Sequence, residues 1–411
     1  MTHTTDEQAR LTDLDDRLVA IRRHLHEYPE LSGEEFETTA RIREWLAEAG
    51  IQTADYGLKT GVIAEIGGQS EGPIIALRAD IDALPIQEET GLSYASRYPG
   101  KMHACGHDFH TAALLGAAFL LKERESELQG RVRLIFQPAE EKALGALQVI
   151  ESGALEGVRA IFGLHNKPDL PVGTIGIKAG ALMAAADGFL LEVKGLGTHA
   201  AVPEAGVDPI VAASQIVTSL QSIVSRNIGS QQQAVVSVTR FHSGTSWNVI
   251  PEKAILDGTI RTFEEGVRAT ARERFQQIVE GVAAAYRVQA DLRWIQGPPA
   301  VRNDGRLAEL ARTAAENLGL RTVEPPPSPA GEDFAYYQKE VPGLFLFVGT
   351  AGLREWHHPA FDLDERALPI TARCLAALAG LALGSLPEQR NQKRGEQDGG
   401  FTTIRNHTRG E

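Results

Sequence analysis

Cysteine is scarce: Cys105 and Cys374 are the two in 411 residues. Two thiols cannot build the dense disulfide framework of a small secreted domain, and a reducing compartment keeps both free. Aromatic residues are few at 6%, and basic charge is outweighed, with 41 Lys and Arg against 54 Asp and Glu for a formal net charge of -13. That balance repels phosphate backbones and anionic lipid, so neither nucleic acid nor a membrane surface is an expected partner. The densest basic stretch, Arg390 to Arg394, sits in a polar segment and reads as solvated. An apolar signal core is missing from the opening Met-Thr-His-Thr-Thr-Asp-Glu, and no run reaches the ~18 apolar residues a bilayer span requires. The expected location is the cytoplasm.

What is present belongs to a folded enzyme: 43% hydrophobic and 23% charged residues, in a chain long enough for two domains. Leu11, Leu14, Leu18, Ile21 and Leu25 recur at steps of three and four and predict an opening helix. A helix from about 34 to 49 follows, then alternating strands (61–66, 73–78, 132–137, 160–165) and helices (108–122, 143–152), an α/β sheet domain. Near Met183 the rhythm becomes strand 187–195, helix 208–226, strands 233–242 and 254–263, helix 265–287 and strand 288–295. This is the split βαβ order of a ferredoxin-like α+β unit. A helix from 306 to 318, a strand from 344 to 348 and a helix from 365 to 383 then resume the first pattern. The expected organisation is a discontinuous first domain, 1–182 and 297–386, an inserted domain, 183–296, and a tail, 387–411, too poor in apolar residues to offset ordering entropy.

Four clusters carry chemistry. His103-Ala-Cys105-Gly-His107-Asp-Phe-His110 opens a helix; Gln137-Pro-Ala-Glu140-Glu141 follows a strand; Gly163-Leu-His165-Asn166 ends another; and Trp356-His357-His358-Pro359 follows a third after a loop. Each alone has a bland explanation, as a cap, an acidic turn or a satisfied histidine. Together they fall at one rim of one sheet, where open α/β sheets place ligands. Imidazole, thiolate and carboxylate in one place suit a divalent transition metal (Zn, Mn, Co or Ni) better than Mg or Ca. A metal beside a free carboxylate is the minimum for hydrolysing an amide, since the ion activates water and the carboxylate carries its proton. Glu140 and Glu141, being adjacent, cannot both face one ligand point, and the residues alone do not say which binds and which serves as base.

Five segments resemble the M20 metallopeptidase family, in its amidohydrolase branch of aminoacylases, hippurate hydrolases and indole-acetyl-amino-acid hydrolases. They are Arg22-Arg-His-Leu-His-Glu-Tyr-Pro-Glu-Leu-Ser32, Leu77-Arg-Ala-Asp-Ile-Asp-Ala-Leu-Pro85, Met102-His-Ala-Cys-Gly-His-Asp-Phe-His110, Phe136-Gln-Pro-Ala-Glu-Glu141 and Trp356-His-His-Pro-Ala-Phe361. The resemblance implies a mixed-sheet, zinc-peptidase-like catalytic domain carrying the insertion as a dimerisation and lid domain. It implies Cys105, His107, Glu141, His165 and His357 as ligands for up to two ions, with Glu140 the general base. His357 is preferred to His358 because the family's ligand histidine is followed by a variable residue and then Pro. Where the family commonly has His-x-Asp, this chain has Asp80-Ile-Asp82, so Asp80 is a doubtful ligand and Asp82 an orienting group for a histidine.

In the insertion, Gly195-Leu-Gly-Thr-His199 resembles the segment whose histidine stabilises the oxyanion, often across a dimer, and Thr245-Ser-Trp-Asn248 the segment whose Asn holds substrate. A homodimer through the inserted domain, closing over the metals, is therefore expected. Gly331-Glu-Asp-Phe334 reads either as a pocket loop or as an acidic helix start. The implied activity is deacylation of N-acyl, foremost N-acetyl, amino acids, and the chain most resembles bacterial deacetylases of N-acetylated sulfur amino acids. Alternatives are hippurate-type or N-acetyldiaminopimelate hydrolysis, a catalytically degenerate binding protein, and a metal-independent redox role for Cys105.

Overall fold

The computed structural model describes residues 2–67 and 72–386, with side chains of the first helix from residue 12 onward. The tail expected at 387–411 lies outside the described residues. Helices α1 (Thr2–Glu27) and α2 (Phe36–Glu48) lead into β1 (Thr53–Ala54), β2 (Val62–Gly67) and β3 (Ile74–Asp80). Then come α3 (His107–Glu123), β4 (Arg131–Gln137), α4 (Gly145–Glu151), β5 (Val158–Lys167), β6 (Thr174–Gly176) and β7 (Gly180–Met183). A second group follows: β8 (Ala185–Lys194), β9 (Thr198–His199), α5 (Pro209–Ser222), β10 (Ala234–Ser243), β11 (Val249–Ile250), β12 (Lys253–Thr262), α6 (Glu265–Tyr286) and β13 (Gln289–Ile295). The chain returns through β14 (Val301–Asn303), α7 (Gly305–Asn317), β15 (Arg321–Val323), α8 (Phe334–Glu340), β16 (Gly343–Gly349) and α9 (Ala367–Ser385).

The main sheet has eight strands in the order β1-β2-β4-β3-β5-β16-β6-β15. Its centre, β4-β3-β5-β16, is parallel, with Leu77 of β3 level with Leu134 of β4 and Phe162 of β5. Strand β3 is buried along its whole length, the signature of a strand covered on both faces. On one face lie α1, α3, α7 and α9, and Gly116 of α3 explains their close approach: a Cβ there would stand 2.7 Å from both Leu18 Cδ1 and Ala372 Cβ. Phe109, Leu114 and Leu115 of α3 are fully buried, each contributing on the order of 2 kcal/mol of hydrophobic stabilisation. Helix α9 departs from the sequence expectation, because its length and apolar composition would suit a bilayer. Its apolar residues instead line the core, Leu375, Leu378 and Ala379 among them.

The second group forms its own antiparallel sheet, β10-β12-β8-β13, with α5 and α6 packed over a separate core that includes Phe189, Leu191, Ile216, Leu220 and Phe275. β8 lies between β12 and β13, the split arrangement of a β-α-β-β-α-β unit. Where the chain crosses between the two sheets it is clamped. Asp187 accepts from Arg268 Nη2 and Nε at 2.6 and 2.8 Å and from the Gly297 N–H at 3.0 Å, so one buried ion pair ties the outgoing strand to the returning one.

Candidate functional site

The four parallel strands of the main sheet end at a common rim, and each delivers a side chain there. After β3 the chain turns through Asp82 and reaches Cys105 and His107 at the start of α3. Gly106 makes that start possible: its φ is 85°, and a Cβ would lie 2.4 Å from Asn166 Nδ2, which instead donates to the Cys105 carbonyl at 2.6 Å. After β4, Ala139 and Ala143 adopt left-handed φ values of 51° and 53° and bracket a single 3-10 turn, Glu140–Lys142. β5 carries His165 near its end, and the loop after β16 places His357, itself left-handed at φ 64°, with its N–H donating to Ala104 O at 2.8 Å.

These residues meet. Donor atoms of Cys105, His107 and His165 lie within 4.8 Å of one another, as do those of Cys105, Glu141 and His357, and of His107, Glu140 and Glu141. Cys105 Sγ is 3.4 Å from His165 Nε2, His107 Nε2 is 3.9 Å from Glu141 Oε1, and His357 Nε2 is 3.5 Å from the same oxygen. His107 Nδ1 donates to Asp82 Oδ1 at 3.1 Å and His165 Nδ1 donates to Asn166 O at 2.9 Å, which orients both rings so that Nε2 turns inward and, in the neutral ring, is the nitrogen free to bind a cation. His107 Nε2 and Glu141 Oε1 are buried without any hydrogen-bond partner. Orphaned buried polar atoms are costly unless something satisfies them, and a cation that takes the place of the His107 proton would satisfy both. The set fits a divalent transition metal.

Its neighbours do not serve the same purpose. His110 and Asp80 also lie close to His107, yet His110 accepts from Asn166 N at 2.9 Å through Nε2 and so must donate from Nδ1, to Asp80 Oδ1 at 2.6 Å. Asp80 Oδ2 takes Arg78 Nη1 at 2.7 Å. Both groups are fully used within the protein. His358 has its Nδ1 occupied by the Ala360 N–H at 3.0 Å, which leaves the rim to His357.

Electrostatics follow from this crowding. Burial first, then the carboxylates of Glu141, Glu140 and Asp80, push the Cys105 thiol well above its ordinary range. Burial followed by Glu332, Glu141 and Asp333 raises Glu140 well above the usual carboxylate range. For His107, burial works against the charged form but Asp80, Asp82 and Glu141 outweigh it, holding the imidazole up at about 10. Added positive charge is what such a site favours.

Sequence reasoning missed the base of the site. Arg78 is fully buried and donates to Gln137 Oε1 at 2.8 Å, Glu332 Oε1 at 3.0 Å and Asp333 Oδ1 at 2.8 Å, besides Asp80. The Gly331-Glu-Asp-Phe334 segment accordingly turns its carboxylates to this guanidinium, with the Asp333 N–H reaching Glu140 Oε1 at 3.3 Å; burial and mutual repulsion, moderated by Arg78, set Glu332 at about 8 and Asp333 at about 6. Ser32 Oγ donates to Asp82 Oδ2 at 2.6 Å, and Glu35 Oε1 accepts from Ala139 N at 2.9 Å. The alternation of apolar and charged residues in 77–82 is the local signal that bears on Arg78. His199 and Asn248 lie together on the β9–β11 ribbon, where Ala200 N donates to Asn248 O at 3.0 Å, and among the described residues neither hydrogen-bonds any of the five donors.

Residues 76–380 match the model of peptidase family M20/M25/M40. Two Bacillus subtilis (strain 168) proteins, an N-acetylcysteine deacetylase and an N-acetyl-L-cysteine deacetylase, are each 56% identical to this chain, over 90% and 87% of it and 98% and 86% of their own lengths. The IAA-amino acid hydrolase ILR1-like 4 of Arabidopsis thaliana is 39% identical over 95% of this chain and 91% of its own. The crystal structure of the Bacillus subtilis YXEP protein, described as a dinuclear metal-binding peptidase from the M20 family, superposes with a TM-score of 0.83 at 52% identity, covering 91% of this chain and all of that one. The matched span runs from β3 into α9 and contains every donor gathered at the strand ends, so sequence likeness and site geometry agree that this chain belongs to peptidase family M20/M25/M40.

Proposed function

We propose that this protein is a metal-dependent amidohydrolase that converts an N-acyl, foremost N-acetyl, amino acid into a carboxylate and the free amino acid, with N-acetylated sulfur amino acids as its preferred substrates. The observation that carries the reading is the pair Glu140 and Glu141. One carboxylate joins the donors of Cys105 and His357, while the other faces the same space from its neighbouring position. Cys105, His107, Glu141, His165 and His357 would hold one or two ions (Zn, Mn, Co or Ni), and a divalent ion bound there supplies Lewis acidity to a water and to the scissile carbonyl. Glu140 takes the proton from the attacking water and hands it to the departing nitrogen.

The segment 183–296 serves in this reading as a lid and dimerisation domain beside the catalytic segments 1–182 and 297–386. His199 would stabilise the developing oxyanion and Asn248 hold the substrate, each supplied to the partner's site. Supporting this, β10 is an edge strand with exposed Val235 and Phe241, and Trp247, next to Asn248, is 94% exposed. A degenerate binding protein has no need of Glu140 in this position, and a redox role for Cys105 is disfavoured by surroundings that keep its thiol protonated. The cytoplasm remains the proposed location.

The substrate reading draws on the two deacetylases named above. Rates on N-acetylcysteine, hippurate and N-acetyldiaminopimelate, measured side by side after reconstitution with each candidate metal, test it. The first should be fastest, and equal or better rates on either of the others would overturn the sulfur preference. Glu140→Gln should lose at least ~100-fold in rate with its metal content unchanged. Full activity in that variant, or in chelated protein, would sink the hydrolytic mechanism.

A further inference from the structure

The turn that presents Glu140 begins at Ala139, whose φ of 51° is disfavoured for any residue with a Cβ. Its N–H does not enter the main sheet. It donates to Glu35 Oε1 at 2.9 Å, across 104 residues of sequence. Glu35 is fully buried, and its second oxygen accepts from Thr60 Oγ1 at 2.8 Å. Position alone would make Glu35 the cap of α2, but its side chain makes no capping hydrogen bond. That work is done by Glu30, whose carboxylate accepts from Glu37 N at 3.2 Å and Thr38 N at 2.8 Å. A carboxylate withdrawn from water, without an ion pair among the described residues and without service to its own helix, is expensive to keep. Besides the nearby backbone of Gly33 and Glu35 itself, what it holds is the strained residue immediately before Glu140.

We propose that Glu35 is a positioning residue: by accepting the Ala139 N–H it keeps the left-handed turn that sets Glu140 against the donor cluster. The proposal rests on the reading of Glu140 as general base. The same stretch, residues 30–35, braces the site elsewhere, through Ser32 Oγ to Asp82 at 2.6 Å and Ser32 O from Lys142 Nζ at 2.8 Å. The turn is therefore docked against the α1–α2 connection at several points, and Glu35 supplies the one that touches the strained residue.

The test is steady-state kinetics on N-acetylcysteine with metal content measured for every variant. Glu35→Met fills the space without an acceptor and should lower kcat at least ~10-fold with KM changed less than ~3-fold and metal content unaltered. Glu35→Gln should stay within ~3-fold of the parent, because its carboxamide oxygen accepts from Ala139 while its NH2 meets Thr60 Oγ1. Adding Ala139→Gly to Glu35→Met should recover much of kcat, since glycine adopts the left-handed conformation without restraint. Glu35→Ala replaces Glu35→Met if the latter does not fold. An unchanged kcat in Glu35→Met, or equal losses in the Met and Gln variants with no recovery on Ala139→Gly, overturns the proposal. Glu140→Gln run alongside separates the two readings. If it keeps full rate, the assignment of the base fails; if it is inactive while Glu35→Met is unimpaired, only the positioning role fails.

Discussion

At His110 both ring nitrogens are engaged within the protein, by Asp80 and by Asn166, whereas His107 and His165 each engage one and turn the other inward. Asp82 is thus the group that fixes the His107 tautomer. Asp82→Asn, able to present an N–H where the ring also carries its proton, should weaken metal affinity about 10- to 100-fold, read by competition with a chelator. Unchanged affinity would remove Asp82 from this role. Protonation adds a pH dependence. His107 is held protonated up to about 10, so a binding cation must displace that proton, and apparent affinity should rise as pH rises toward this value and fall below it. Calorimetric titration with metal in two buffers of different ionisation heat should reveal proton release; identical heats in both would contradict it.

Among the elements, those built on long periodic patterns are legible in the amino-acid sequence itself. The helix predicted at 108–122 is α3, His107–Glu123, and the strand predicted at 132–137 is β4, Arg131–Gln137. The same patterns put Cys105, Glu140, Glu141, His165 and His357 at strand and helix ends, which is why a site could be read at all. Strands β6, β7, β14 and β15, three or four residues each, are too short to express a period. The partners of Arg78 were hidden for a different reason. Glu332 and Asp333 lie 254 and 255 residues away, so no local pattern announces the pairing, and the segment containing them resembled a pocket loop as much as a helix start. Adjacency in sequence exposed the two glutamates; only the fold could expose the guanidinium beneath them. At the start of α3, Gly106→Ala combines a left-handed φ with a contact 2.4 Å from Asn166 Nδ2. It should cost about 1–3 kcal/mol in denaturant unfolding and reduce metal content, because Cys105 and His107 flank it. An unchanged midpoint would show that the helix start tolerates a side chain.

For the molecule as a whole, the proposed division of labour between subunits has a direct consequence. Mixing Glu140→Gln chains with His199→Ala chains should restore activity to about a quarter of the parent, since a twofold dimer of one of each contains one site with both groups intact. Mixtures no more active than their components would place His199 outside the partner's site.

The separation of the two cores matters for heat as well as for catalysis. All five proposed ligands come from segments of the eight-stranded sheet, and the sheet β10-β12-β8-β13 packs on a core that contributes none of them. A ligand that binds only one folded unit raises the melting temperature of that unit by mass action and leaves the other where it was. Calorimetric scans should therefore resolve two transitions, of which chelation lowers only the one belonging to the eight-stranded sheet, while dilution, by dissociating the proposed dimer along β10, lowers the other. Metal and concentration would then act as separate thermostats on the two halves of one chain.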